Sequence, residues 1–298
     1  MPFESEPEGK FEQRAFFIAR TWWQDFGNAL RFLTRLPVPQ TRASLRPNFL
    51  NDIEDNHQAD NAEDAGNADE AKLAPSLKPL RRTVRAFPLI GALLGIAAGL
   101  AFALAIGLGL PVLVAGVIAI ALLALATGAL HEDGLADMVD GFGGGHNIER
   151  KLAIMRDSRI GAYGVIALVL VLAAKVGSLA DLEDIGVVMS GLICAAAASR
   201  AAMPAMMRWL PPARSDGLSA GAGRPAAEHV WTGIIITTIL AVLLLTWSGV
   251  VALLIAAASA FAVGLLARRQ IGGHTGDVLG ATQQISELIF LLTLAAIR

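Results

Sequence analysis

Residues 87–130 read FPLIGALLGIAAGLAFALAIGLGLPVLVAGVIAIALLALATGAL, an apolar run that contains no charged side chain. About twenty apolar residues in a helix cross the hydrocarbon core of a bilayer, so this run is too long for a single span. Its middle, GLGLP at residues 107–111, combines glycine with proline, and both favour turns. We therefore predict two membrane-spanning helices joined by a short turn.

Further apolar segments follow along the chain. Hydrophobic residues make up 54% of the sequence and charged residues only 17%, whereas about a quarter of the residues are charged in a typical soluble domain. The sequence therefore predicts an all-α fold, a polytopic membrane helical bundle with six or seven transmembrane helices and cytoplasmic polar loops. The further predicted spans are residues 162–180, 185–207, 230–247 and 250–267, with a shorter, tilted or partial span at 285–297.

Lysine and arginine occur in alternate connections between these spans. Connections with such residues are expected on the cytoplasmic side of a membrane. We therefore predict a multi-pass protein of the cell inner membrane with a cytoplasmic N-terminus. Lys175, near the outer end of its span, is expected to reach outward to the interface. The basic connections are residues 81–85, 150–159, 208–224 and 268–269, and those without lysine or arginine are 107–111, 181–184 and 248–249.

Two regions precede the first span. Residues 1–47 form a predicted cytoplasmic segment, within which residues 21–36 place several apolar side chains near one helical face. That pattern predicts an interfacial helix lying on the membrane. Residues 48–80 form a predicted linker, and its tract 48–72 is rich in Asn, Asp, Glu and Ala, a composition typical of disorder. Residues 81–298 then form the predicted transmembrane catalytic domain.

Charge and cysteine content exclude several classes of protein. The net charge of −2 argues against nucleic acid as a partner, because that role requires a basic surface. The one cysteine, Cys194, lies in an apolar run, so neither a disulfide framework nor a thiolate zinc site is expected. No Walker loop is present. The sequence gives no indication of an oligomeric state.

The motif HEDGLADMVDGFGGG, residues 131–145, follows the second span. In a continuous helix Asp133, Asp137 and Asp140 lie on one face, at positions i, i+4 and i+7. Carboxylates that share a face repel each other unless a cation lies among them, and hard oxygen ligands suit Mg²⁺. We therefore predict these three aspartates to be catalytic and metal-binding, with Glu132 as a less certain metal ligand. A solvated acidic helix end is the alternative.

The glycines that end this motif are candidate substrate-binding residues. Gly143, Gly144 and Gly145 carry no side chain, so their backbone can approach a phosphate closely. Glycines alone are a weak signal of such a role.

The segment RDSRIGAYG, residues 156–164, directly precedes the third span. Arg156 and Arg159 are predicted to hold phosphate oxygens, since guanidinium groups bind them in a bidentate manner. Asp157 is a candidate for the metal site or for proton transfer, and Ser158 for phosphate binding or for capping the helix. The alternative is a membrane anchor of positive residues with an ordinary helix cap.

Three further polar positions are predicted to bind substrate. Arg200 lies inside the fourth apolar run, where an arginine is costly unless it faces the bundle interior and meets a carboxylate or a phosphate. Arg214 lies in the loop of residues 211–225, which is flexible enough to close over a substrate. Asp277 leads into the last span, and His274 just before it is a weaker candidate for metal binding or acid–base chemistry.

These motifs together resemble the cobalamin synthase family, also called adenosylcobinamide-GDP ribazoletransferases. The resemblance implies that α-ribazole or its 5′-phosphate attacks the phosphate that joins GDP to adenosylcobinamide, releases GMP and closes the nucleotide loop of cobalamin. It also implies Mg²⁺ and an inner-membrane location. The tract 48–72 departs from the family pattern. The segments that carry the resemblance are FLTRLPVP (32–39), FPLIG (87–91), residues 131–145, DSRIGAYG (157–164), Ser199-Arg200 and GDVLGA (276–281).

The chemistry of these residues agrees with the phosphoryl transfer that the resemblance implies. Mg²⁺ held by the three aspartates stabilises the leaving GMP, and one of those carboxylates or Asp157 accepts the proton of the attacking hydroxyl. Arg159 and Arg200 are the candidates for stabilising charge in the transition state.

Two other classes of membrane protein compete with this interpretation. The nearest is another Mg²⁺-dependent membrane phosphotransferase, such as a CDP-alcohol phosphotransferase, or a prenyltransferase with an Asp-rich site. Against the CDP-alcohol class, Asp137 stands where its motif has an arginine. The second is a metal or proton transporter, which is disfavoured because the acidic residues gather at one membrane boundary rather than near the midplane.

Overall fold

The computed structural model of the chain describes residues 8–37 and 80–298. Within those residues the chain is helical, apart from turns and one isolated bridge between Pro212 and His274. The predicted linker of residues 48–80, except for its last residue, lies outside the described part. The helices are α1 (Glu8–Leu33), α2 (Leu80–Thr83), α3 (Phe87–Gly107), α4 (Val112–Thr127), α5 (Leu130–Gly144), α6 (Ile148–Ile154), α7 (Ala162–Asp181), α8 (Ile185–Trp209), α9 (Leu218–Ala222), α10 (Ala227–Ile271) and α11 (Gly276–Ala296).

Five helices of the described chain, namely α3, α7, α8, α10 and α11, are long and apolar enough to cross a membrane. Helices α4 and α5 pass that test only together, and they are bent by 89° relative to each other. Segments at nearly a right angle cannot both follow the membrane normal, so we take α4 as the spanning part and α5 as a helix lying across the bundle. The predicted all-α membrane bundle is confirmed. So is the predicted turn, because α3 ends at Gly107 and α4 begins at Val112.

Helix α10 contains the predicted break between two spans. Thr246 has non-helical torsion angles, φ 56° and ψ −133°. A Cβ atom built on Gly249 would lie 2.5 Å from the carbonyl oxygen of Ala241, although eight residues of straight helix advance by about 12 Å. The chain therefore reverses direction near Thr246, two residues before the predicted turn at residues 248–249, and α10 is a pair of antiparallel helical segments.

The last helix is longer and more central than the sequence predicts. Instead of a partial span at residues 285–297, α11 runs from Gly276 to Ala296, and 72% of its most apolar window is buried inside the bundle. Its first half contains Asp277, Gln283, Gln284 and Glu287, which interrupt the apolar pattern. These side chains pack against other helices rather than lipid, so a prediction from hydropathy alone gives too short a helix.

Helix α1 packs against the chain that leads into α3, and its predicted position on the membrane stays a prediction. It extends well beyond the predicted residues 21–36 at its N-terminal end. The buried carboxylate of Asp25 accepts a hydrogen bond of 3.1 Å from Arg82 Nε and lies 2.6 Å from Arg85 Nη2. Trp23, on the opposite side, is 74% exposed. The structure thus ties one face of α1 to the start of α3 and leaves an aromatic residue outside.

Small residues bring α3 and α8 into close backbone contact. A Cβ atom on Gly95 would lie 2.5 Å from the Cα atom of Ile193, and one on Gly91 would overlap the carbonyl group of Ala196. Helices in lipid gain little from hydrophobic association, so close van der Waals packing between small residues is what holds them together. The α3–α8 pair therefore forms the rigid part of the bundle, beside which the polar helices α5 and α11 lie.

Candidate active site

Helix α5, which carries the acidic motif, begins after a sharp turn. Gly128 and Ala129 both have left-handed backbone conformations, with φ angles of 65° and 58°. The helix then packs closely on α11, because a Cβ atom on Gly134 would lie only 3.0 Å from the carbonyl oxygen of Asp277. A Cβ atom on Gly280 would lie 3.2 Å from the Cα atom of Gly134. These two glycines bring the acidic residues of α5 to the N-terminus of α11.

Three carboxylates lie close enough to influence one another where these helices cross: Asp133, Asp137 and Asp277, which we call the acidic face. Asp133 is exposed, while Asp137 and Asp277 are partly buried. Burial, followed by the negative charges of Asp133, Asp277 and Asp140, raises the pKa of Asp137 to about 7, and the nearby Arg214 partly opposes this. The acidic face therefore carries more negative charge than the protein itself neutralises.

Asp140 belongs to the same helix but has a different set of partners. Its Oδ2 atom accepts a hydrogen bond of 2.7 Å from the backbone N–H of Gly161, and its Oδ1 atom one of 2.9 Å from Gly164. It thereby caps the N-terminus of α7, whose own N-cap residue supplies no side-chain bond. The cap that was one prediction for Ser158 is provided by Asp140, and Ser158 is exposed. Side chains on Gly161 or Gly164 would collide with this carboxylate.

Arg214 is brought to the acidic face by a contact between two loops. The backbone N–H of His274 donates to the carbonyl of Pro211, and the N–H of Ala213 donates to the carbonyl of His274, both at 2.9 Å. Gly273 allows this approach, since a Cβ atom there would overlap Pro211. Two nitrogens of Arg214, Nε and Nη1, are buried without a hydrogen-bond partner among the described residues. A guanidinium with two free nitrogens, whose charge acts on Asp137 and Asp277, suits an anionic ligand such as a phosphate.

The other predicted phosphate-binding arginines are paired with aspartates. Arg156 forms an exposed ion pair with Asp216, in the loop of residues 211–225. Arg159 Nη2 lies 2.6 Å from Asp157 Oδ2, and its Nε lies 3.0 Å from Oδ1. The hydrogen bonds from Arg159 hold the pKa of Asp157 at about 2. Both arginines therefore lie at the exposed rim of the site, and their binding of phosphate remains a prediction.

The glycines at the end of the motif pack against neighbouring side chains. A Cβ atom on Gly143 would lie 3.0 Å from the ring of Tyr163, and one on Gly145 would overlap Lys151. Gly144 lies near Ile154, with a corresponding distance of 3.4 Å. Close packing explains why small residues occur here, and a phosphate contact by these glycines remains a prediction.

Glu132 and Arg200 lie away from the acidic face, in a buried polar network that we call the interior cluster. As predicted, Arg200 meets a carboxylate, since its Nη1 lies 3.4 Å from Glu287 Oε2. Lys175 does not reach outward as predicted: it is 1% exposed, and its ammonium group lies 2.8 Å from Glu287 Oε1. The interior cluster consists of Glu132, Lys175, Ser199, Arg200, Gln283, Gln284 and Glu287.

Sequence reasoning missed that this network is a single structure. Lys175 and Gln284 carried a usable signal, since polar side chains at such depth in a membrane helix are costly unless they have partners. His274, the weaker acid–base candidate, is buried, and burial lowers its pKa to about 4, so its imidazole is neutral near pH 7.

The acidic face has the donor chemistry of a magnesium site but not a closed set of ligands. Among residues 8–37 and 80–298, no group of three or more His, Cys, Asp or Glu side chains is arranged to hold a metal ion. Mg²⁺ usually takes only one or two carboxylates and completes its shell with water and phosphate oxygens. The uncompensated negative charge around Asp137 and the hard oxygen donors fit that mode of binding.

Comparison with known proteins gives consistent matches. The sequence model of the family described as cobalamin-5-phosphate synthase matches residues 70–295. The chain is 44% identical over 275 residues to an adenosylcobinamide-GDP ribazoletransferase of Azorhizobium caulinodans, covering 90% of this chain and 94% of that protein. A protein of the same name from Sinorhizobium medicae is 39% identical over 286 residues, with coverages of 93% and 97%. One from Bradyrhizobium diazoefficiens is 45% identical over 218 residues, with coverages of 73% and 84%. No solved structure matches the chain at a significant level.

Proposed function

The chain belongs to the cobalamin-5-phosphate synthase family, and we propose that its acidic face, together with Arg214, is the site of the family's transfer reaction. The activity is that of an adenosylcobinamide-GDP ribazoletransferase. The observation that carries the location of the site is the partly buried guanidinium of Arg214, two of whose nitrogens have no hydrogen-bond partner and whose charge acts on Asp137 and Asp277. Phosphoryl transfer requires this combination, because negative charge on the phosphate oxygens must be neutralised while nucleophile and leaving group are held in line.

The reaction replaces a phosphoanhydride bond by a phosphodiester bond. A hydroxyl of α-ribazole, or of its 5′-phosphate, attacks the phosphorus atom attached to adenosylcobinamide. A new P–O bond forms to ribazole, the bridging P–O bond to GMP breaks, and GMP leaves with the bonding electron pair. The proton of the attacking hydroxyl passes to a base, so the step needs no oxidant or further co-substrate.

Arg214 is the residue best placed to bind the phosphates. Its free nitrogens lie near Asp137 and Asp277, close enough that its charge lowers the pKa of Asp137. Asp133, Asp137 and Asp277 would hold Mg²⁺, which when bound offsets the negative charge of the pyrophosphate and of the leaving GMP. Asp140 contributes indirectly in this proposal, because its cap fixes the start of α7 next to the rim.

The proton acceptor is best sought within the acidic face. In the metal-free protein the pKa of Asp137 is about 7, in the range that favours a general base, and bound Mg²⁺ would lower it. Asp157 lies outside that range, because its pair with Arg159 holds its pKa at about 2. Arg200 is equally unsuited to the transition-state role predicted for it, since it is buried beside Glu287 rather than near the acidic face.

The apolar helices make the chain a multi-pass membrane protein. We propose in addition that it lies in the cell inner membrane with its N-terminus and the acidic face on the cytoplasmic side. The support is the distribution of lysine and arginine, which occur in alternate connections of the chain. A water-soluble nucleotide substrate would then reach the site from the cytoplasm, while the bilayer holds the enzyme.

The proposal is tested with the purified protein in detergent or liposomes, adenosylcobinamide-GDP and α-ribazole, by following the corrinoid product chromatographically. We expect product with Mg²⁺ and none with EDTA. Asp137→Asn should give no product, and Arg214→Ala should form it roughly 10- to 100-fold more slowly. Asp181→Asn is the matched control, because Asp181 is exposed at the far end of α7. Wild-type activity in Asp137→Asn would remove the acidic face from the mechanism, and no product from folded wild-type protein would refute the reaction itself.

A further inference from the structure

Gln284 joins the interior cluster to the helix that carries the acidic face. Its Oε1 atom accepts a hydrogen bond of 2.7 Å from Lys175 Nζ. Its Nε2 atom donates 2.9 Å bonds to Glu132 Oε1 and to Gln283 Oε1. One amide side chain on α11 thus contacts both α7 and α5.

The orientation of this amide is determined by its partners. The ammonium group of Lys175 can only donate hydrogen bonds, so the amide oxygen of Gln284 must face it. The amide nitrogen must then face Glu132, whose carboxylate can only accept. Reversing the amide would place two donors together on one side and two acceptors on the other.

Burial makes these contacts costly to break. Gln284 is 2% exposed, Lys175 is 1% exposed and Glu132 is 9% exposed. In the interior of a membrane bundle no bulk water replaces a lost partner, so an unpaired polar group costs more there than at a surface. The bond between Glu132 and Gln284 is therefore a strong constraint on the position of α5.

The rotation of helix α5 about its own axis requires such a constraint. The helix starts directly after the left-handed turn at Gly128 and Ala129, without a side-chain cap. Its rotation about its own axis is set by what its first turns contact, and Glu132 immediately precedes Asp133. A small rotation would carry Asp133 and Asp137 away from Asp277, because the three belong to two different helices.

We propose that Glu132 and Gln284 are positioning residues, whose buried hydrogen bond holds α5 in the rotation that assembles the acidic face. This assignment rests on the proposed function of that face. It replaces the role of metal ligand for Glu132, since its carboxylate points into the interior cluster and bonds Gln284 there.

The test exchanges the two partners. Gln284→Glu places a second carboxylate against Glu132 and should push α5 out of position. Adding Glu132→Gln restores a donor–acceptor pair in the opposite direction and returns the cluster to its original charge. We expect Gln284→Glu to lower kcat per folded enzyme by about 100-fold, the typical cost of misplacing reacting groups by about 1 Å. The double variant should recover at least a tenth of wild-type kcat. That is about ten times the kcat expected for Gln284→Glu alone.

Glu132→Gln alone separates positioning from metal binding. The glutamine oxygen still accepts from Gln284, so positioning predicts a small change in kcat and an unchanged Mg²⁺ concentration for half-maximal activity. A shift of that concentration by about tenfold or more would make Glu132 a metal ligand and overturn the proposal, because a lost ligand is worth at least that much.

Three further outcomes decide the matter. The proposal is overturned if Gln284→Glu has wild-type kcat or if the double variant does not recover activity. It is also overturned if the variant has a lower folded yield but an unchanged kcat per folded molecule. If Gln284→Glu does not fold, Gln284→Met removes the same bonds at similar volume, and amide hydrogen exchange should quicken in α5 but not in α3. Inactive wild-type protein would instead count against the proposed function.

Discussion

Replacing Asp137 by asparagine should stabilise the metal-free protein while abolishing its activity. In the folded chain, burial and the neighbouring carboxylates raise the pKa of Asp137 from 3.8 to about 7. A raised pKa means that the folded state binds the proton more tightly than the unfolded state does. The stability associated with that proton is fully present below pH 3.8 and is lost as the pH rises through about 7. Asparagine keeps the shape and never acquires the charge.

The size of the effect follows from this difference in pKa. The pKa of Asp137 differs by about 3 between the folded and unfolded states, which corresponds to about 4 kcal/mol, because a change of one in pKa is worth about 1.36 kcal/mol. Because Asp137 is only half-buried, solvent screening reduces this to about 1–2 kcal/mol. For a chain of this size that amounts to an increase in Tm of roughly 2–8 °C. The increase should be largest at pH 8 and small at pH 5, where wild-type Asp137 is itself protonated.

The assay is thermal unfolding of purified protein in detergent, followed by tryptophan fluorescence, with EDTA or Mg²⁺ between pH 5 and pH 8. Mg²⁺ should raise the Tm of the wild type and leave that of Asp137→Asn unchanged. Asp181→Asn, at an exposed position, should behave as wild type in every condition. A lower Tm for Asp137→Asn in EDTA at pH 8 would refute the electrostatic argument, and an equal response to Mg²⁺ would refute the metal site.

Three further substitutions test separate parts of the site. Arg214→Ala should lower kcat/KM by roughly 10- to 100-fold, the contribution expected of hydrogen bonds to a charged group. Arg214→Lys should recover only part of the lost kcat/KM, because an ammonium cannot bind phosphate bidentately. Unchanged kcat/KM in Arg214→Ala would contradict the phosphate role. Gly134→Ala should push α5 away from α11 and reduce turnover, because its Cβ atom would lie 3.0 Å from the carbonyl oxygen of Asp277. Gly177→Ala, which meets nothing within 4 Å, is its control, and equal turnover in both would refute the packing argument. Asp140→Ala should destabilise the protein by about 1 kcal/mol through its lost helix cap, with faster amide exchange at the start of α7. Unchanged exchange there would show that the cap is unimportant.

The predictable part of the fold is the part determined by local pattern. The uncharged run of residues 87–130 exceeds one bilayer thickness, so a turn was required within it, and it occurs at the glycine–proline segment. The helical spacing of Asp133 and Asp137 was equally local, since both lie within α5. The partner of Arg200 followed from energetics alone, because an arginine inside a membrane bundle requires a carboxylate or phosphate.

The rest of the site depends on contacts between distant parts of the chain. Arg214 meets Asp277 because two backbone hydrogen bonds join the loop before α9 to the loop before α11, and no side-chain pattern encodes such a contact. The capping contacts of Asp140 were not predictable because spacing reveals a shared face but not the partners on it, and its binding of metal stays a prediction. Lys175 appeared to reach outward because its depth in the span was known while the inward direction of its side chain was not.

The two sides of α5 explain how a membrane protein can keep an uncompensated acidic face. Asp133 and Asp137 repel each other and Asp277, so electrostatics alone would turn α5 away from α11. The opposing contacts lie where water is excluded: the Glu132–Gln284 hydrogen bond and the close approach of Gly134 to α11. A hydrogen bond is hardest to give up in such surroundings, whereas the repulsion acts at a half-exposed surface where solvent weakens it. The bundle interior thus offsets the repulsion and leaves the carboxylates ready for a cation and a phosphate.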